Sequence, residues 1–81
     1  MLTATLFDIQ CNPITAELFA AAIAHIRQHP GDEGQRAIAI VHLHEDVQHD
    51  SAIVDAATTM GVSTLDIVAE LVDMWQAEIK A

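Results

Sequence analysis

The sequence predicts an all-α fold, a compact bundle of about four helices forming a single domain over residues 1–81. Three observations lead there. Apolar residues recur at three- and four-residue spacing through 14–26 and again through 65–79. Capping residues stand where those runs begin, at Asn12-Pro13 and at Ser63. Three Gly and two Pro leave little chain for turns.

The elements follow in order. Residues 1–12 read as a short N-terminal arm. Asn12 can accept from free helix N–H groups and Pro13 loses nothing at a first helical position, so a helix starts there and runs over 13–29. At about 100° per residue, Ile14, Leu18, Phe19, Ala22, Ile23 and Ile26 share a core-facing half of it. His29-Pro30-Gly31-Asp32 ends that helix, and Asp32 and Glu33 complement the N-terminus of a second over 33–48. Residues 37–41 are apolar all round, so an α+β alternative pairs short strands at 2–9 and 36–44; helix is preferred, because a lone strand needs a partner. Asp50 or Ser51 caps a short helix over 51–60, which Gly61 terminates. Ser63 and Asp66 give a capping-box-like start to the last helix, 64–80.

On that last helix Leu65, Ile67, Val68, Leu71, Val72, Met74, Trp75 and Ile79 fill an arc of about 180°, wider than the ~100° stripe of an ordinary surface helix. Three short neighbours do not easily cover it. A homodimer is therefore expected, with Val68, Leu71, Met74 and Trp75 meeting their symmetry mates; the competing reading makes Trp75 and the rest of that arc the core of a single chain.

Composition bounds function. Twelve Asp/Glu against three Lys/Arg give a formal charge of −9, and a chain of this size buries only about 60% of its unfolded surface. A full core and a deep catalytic cavity do not both fit. No Gly-rich phosphate loop, Ser elbow or CxxC is present, and Cys11 has neither an evident base nor an oxyanion pocket beside it. No enzyme is expected, and no cofactor. The N-terminus lacks the basic start of a secretory signal, no apolar run approaches the roughly 20 residues of a bilayer span, and a single Cys forms no internal disulfide. The expected location is the cytoplasm.

Charge is also segregated. From Ala37 to Ile79 there is no Lys or Arg, while eight acids lie there. Such a surface repels nucleic-acid phosphates and anionic lipid and attracts basic proteins.

The run Ala57-Thr58-Thr59-Met60-Gly61-Val62-Ser63, followed by Ile67, resembles the turn of a helix-turn-helix unit. The small Ala57 lets the helices approach, Gly61 permits a left-handed turn, and Met60, Val62 and Ile67 are expected to fill the wedge between them. The resemblance implies a DNA-binding regulator whose last helix reads the major groove. Its outward positions here are Ser63, Thr64, Asp66, Glu70 and Asp73, so the electrostatic driving force for phosphate is reversed. Asp66, Glu70 and Asp73 fall within about 60° of one another and form an anionic ridge.

Histidine makes a third pattern. His25 and His29 stand at i,i+4, a spacing that puts two imidazoles on one metal ion. His42, Glu45, Asp46 and His49 share another face, and His42, Asp46 and His49 complete the candidate ligands. If the first two helices form a hairpin, the two groups lie at its opposite ends and do not converge in one subunit. They are read instead as surface and half-buried residues, with His44 over a buried patch. Protonating all five would lift the formal charge from −9 to −4.

The expected function is that of a small acidic, non-enzymatic regulator or inhibitor that binds a basic partner protein through Asp66, Glu70 and Asp73. A helix-turn-helix DNA binder and a histidine metal protein are the competing readings.

Overall fold

The computed structural model describes residues 2–80, with side-chain surroundings for residues 3–78. Five helices follow one another: α1 (Leu2–Cys11), α2 (Pro13–Gln28), α3 (Glu33–Val47), α4 (Ser51–Met60) and α5 (Thr64–Lys80). There is no strand among the described residues, so 2–9 and 36–44 are both helical and the α+β alternative falls. The all-α class holds with one helix more than expected. Among the described residues no single helix is long and apolar enough to cross a membrane.

The extra helix is the segment read as an arm. Its Leu2-Thr3-Ala4-Thr5-Leu6 alternation looks extended, yet Thr5, Leu6 and Ile9 are the residues that become buried. Their i, i+1, i+4 spacing is helical, and packing against α2, α4 and α5 selects that period. One residue separates α1 from α2. The N–H of Asn12 bonds Ile9 O at 3.1 Å, while its side chain accepts from the N–H groups of Ile14 and Thr15 at 3.2 and 3.3 Å. Asn12 thus closes one helix and opens the next.

The other joints are built from equally local chemistry. The His29 N–H bonds Ile26 O at 3.1 Å, Gly31 takes φ +78°, and Asp32 accepts from the Gln35 N–H at 3.1 Å to cap α3. Asp50 caps α4 by accepting from the Ala52 N–H at 3.0 Å, and its other oxygen accepts from the buried Thr15 hydroxyl at 3.1 Å, which ties α2 to α4. Gly61, at φ +69°, lets the Val62 N–H reach Ala57 O at 3.1 Å, and Ser63 Oγ accepts from the Asp66 N–H at 3.1 Å.

Phe19 of α2 stacks on Trp75 of α5 with ring centroids 5.5 Å apart. Around them lie Ile9, Ile23, Ile53, Ile67, Leu71 and Val72. Val68 and Leu71 are wholly buried, Trp75 is buried, and Met74 is half-buried against the same cluster. Most of the wide arc of α5 is therefore covered within one chain, with Leu65 left 38% exposed. Val68, Leu71 and Trp75 are therefore not free to meet symmetry mates as expected: α3 and α4 supply most of the cover on α5, with α1 and α2 adding to it. The side chains of Ile79 and Lys80 lie outside the described residues.

Ile14, expected to face the core, is 73% exposed. It lies on the edge of the α2 arc. On α3 the all-round apolar run divides: Ala39, Ile40, Leu43 and Val47 go inward, while Ile38 and Val41 stay exposed.

Candidate functional site

The chain turns through 107° between α4 and α5, across the three residues Gly61, Val62 and Ser63. That angle and turn length are those of a helix-turn-helix pair. The wedge is filled differently from the sequence expectation. Ala56, Ala57 and Ile67 are buried, whereas Met60 and Val62 remain 46% and 40% exposed. Small alanines suffice where two steeply crossed helices meet, and the residues flanking Gly61 are turned toward solvent.

Met60 and Val62 join Ile67, Asp66 and Glu70 around a notch of about 280 Å³. Its floor is apolar and its rim holds two carboxylates one helical turn apart. Neither Asp66 nor Glu70 meets a cation among the described residues. Like charges at this spacing repel by a few tenths of a kcal/mol, a term that a cation placed between them reverses.

Asp73, the third residue of the expected ridge, has a different role. Its Oδ1 accepts from Arg36 Nη2 at 2.6 Å, joining α5 to α3 across 37 residues of sequence. The hydrogen bond to Asp73 raises the Arg36 pKa above its ordinary value, with burial opposing it. The ridge is thus two carboxylates on the notch and one in a surface ion pair. Arg27 and Arg36 lie together at the α2–α3 turn, lining a depression of about 360 Å³ with His29, Asp32 and Glu33. The outer face of α5 carries no cation among the described residues.

The histidines are dispersed. His25 Nε2 meets Gln35 Oε1 at 2.9 Å, and its ring lies 4.9 Å from that of His29. His42 Nδ1 stands 3.9 Å from Glu45 Oε2, both exposed. His44 Nε2 meets Thr64 Oγ1 at 2.7 Å, a second link between α3 and α5. Asp46 stands beside His42 on a separate groove, and His49 is exposed. Among the described residues no three His, Cys, Asp or Glu side chains converge to hold a metal ion. Cys11 is free and exposed at the end of α1.

Met60 and Val62 are the residues that sequence reasoning placed on the wrong side. Their signal was present: both flank a glycine that takes the left-handed conformation, and a sharp turn directs its neighbours outward. No known family model, curated protein or solved structure matches this chain.

Proposed function

We propose that this chain is a non-enzymatic interaction module that captures a basic segment of a partner protein in the notch at the α4–α5 turn. The observation that carries the reading is the pairing of unneutralised Asp66 and Glu70 with the exposed apolar surface of Met60 and Val62. Charge alone would attract any cation; the apolar floor favours a Lys or Arg side chain over a free ion. The six other acids between Ala37 and Ile79 add long-range attraction for such a partner, and occupying the notch would make the protein a regulator or inhibitor of it.

An arginine-rich peptide followed by residue-resolved NMR tests the proposal. Shifts are expected at Met60, Val62, Asp66 and Glu70, with Asp66→Lys plus Glu70→Lys weakening binding at least tenfold, about 1.4 kcal/mol. The charge-matched control Glu45→Lys plus Asp46→Lys keeps most of the affinity. Equal losses in both variants would reduce the effect to net charge and refute the notch.

A DNA-binding reading has one observation in its favour, the 107° three-residue turn. It is opposed by carboxylates at the positions that would meet phosphates. Titration of duplex DNA at about 50 mM salt decides it, since a phosphate-binding surface gives its greatest affinity at low ionic strength.

A further inference from the structure

Two histidine rings lie against each other where α2 ends. His25 belongs to the last turn and His29 is the C-cap, and their i,i+4 spacing brings the ring centroids to 4.9 Å with the planes 47° apart. A late transition metal binds an imidazole nitrogen at about 2.1 Å, which puts the ion about 3.2 Å from the ring centre. Two rings whose centres are 4.9 Å apart then subtend about 100° at a common ion, an angle between those of octahedral and tetrahedral coordination. The surroundings suit the same chemistry. His25 Nε2 meets Gln35 Oε1 of α3 at 2.9 Å. A carbonyl oxygen only accepts, so Nε2 carries the proton and Nδ1 keeps its lone pair. A ring N–H bound to an oxygen acceptor, with the other nitrogen free, is the usual state of a metal-ligating histidine. His29 is exposed, and its ring makes no hydrogen bond among the described residues. The last carbonyls of α2 present the negative pole of its dipole to a cation here. Of the nearby cations, Arg36 is held by Asp73, and Arg27 lies about 200° round the α2 wheel from His25.

We infer that His25 and His29 form a two-nitrogen site for one divalent late transition-metal ion of the imidazole-preferring set Ni2+, Cu2+ and Zn2+, with Gln35 orienting His25 from α3 and water completing the shell. Two ligands rather than three make it an open site, in keeping with the lack of any larger His, Cys, Asp or Glu cluster among the described residues. Hard cations are excluded, because Mg2+ and Ca2+ call for oxygen ligands. The ion joins the last turn of α2 to its cap and, through Gln35, to the start of α3. Only the folded chain holds the two rings in this geometry, so metal stabilises the hairpin by mass action. His42 and His49 take no part: they stand on α3 and beyond its end, where His42 faces Glu45. The site is separate from the α4–α5 notch and does not rest on the reading given to it.

Isothermal titration of the untagged chain with NiCl2, CuCl2 and ZnCl2 tests the inference. One ion per chain is expected, with affinity rising from Ni2+ to Cu2+ and falling again at Zn2+. His25→Ala and His29→Ala are each expected to lower Ni2+ affinity at least tenfold with an unchanged helical circular-dichroism spectrum, and His29, being exposed, can be removed without risk to the core. His42→Ala plus His49→Ala keeps the affinity within about twofold. Gln35→Leu lowers it by about tenfold, the usual effect of losing such an orienting partner. Nitrogen-15 NMR of the imidazoles with Zn2+ separates orientation from folding: His25 is expected to keep its proton on Nε2 and to coordinate through Nδ1, whereas Gln35→Leu populates both tautomers of the free ring. Coordination of His25 through Nε2 would overturn the part given to Gln35. Absence of saturable Ni2+ binding, or an equal loss in the His42 and His49 variant, which would mean scattered imidazoles, overturns the site.

Discussion

Helices α3 and α5 each carry more apolar residues than one stripe holds, and they meet opposite fates. On α5 the arc through Ile67, Val68, Leu71, Val72 and Trp75 disappears into the core, and what faces solvent is mainly acidic. On α3 the shorter apolar run is only partly covered, and Ile38 and Val41 remain outside. The difference comes from neighbours rather than from residues: α5 packs against α1, α2, α3 and α4, whereas α3 packs chiefly against α2 and α5. Surplus apolar surface is thus a property of a helix in its surroundings.

The sharpest way to break this comparison is to truncate one residue of each kind. Leu71→Ala removes a wholly buried side chain and is expected to cost about 2–5 kcal/mol in urea denaturation. Ile38→Ala, at a half-exposed site, is expected to stay within about 1 kcal/mol, measured under conditions that keep the chain monomeric. Comparable losses would show that α3 is as covered as α5. Next in size is Ile9→Ala, 1% exposed in the helix that closes over the core. It is expected to lower stability by about 2–4 kcal/mol. A change within experimental error would return α1 to the status of an arm and reopen the arc of α5. The smallest effect belongs to the tie between the two helices. The Arg36–Asp73 pair has side chains 32% and 53% exposed, so a double-mutant cycle with Arg36→Ala and Asp73→Ala is expected to give a coupling of about 0.2–1 kcal/mol that shrinks with added salt. A coupling that salt leaves intact would place the pair in a drier setting than its exposure indicates.

Most helix boundaries were legible because their causes are local. The 51–60 and 64–80 segments match α4 and α5, since Asp50, Gly61 and Ser63 act within three residues of themselves. The 13–29 and 33–48 segments overrun α2 and α3 by one residue each. Helix α1 was missed because Leu2 to Leu6 alternates as a strand does; its period is selected by Leu6 and Ile9 finding cover on other helices. In the notch, Asp66 and Glu70 were legible from i,i+4 spacing. The removal of Asp73 from the ridge was not, because its partner lies 37 residues away and meets it only through the crossing of α3 and α5.

By itself the chain's order of residues determined where helices start and stop, the excess of carboxylates on the outer side of α5, and the all-helical class. These depend on hydrogen bonds and charges that act over a turn or two. Tertiary structure alone decided which apolar residues are covered, that Met60 and Val62 face outward beside two acids, and that a groove stays open between α2 and α3. Burial is a relation between segments distant in sequence, and no periodicity within one helix says which neighbour will arrive to cover it.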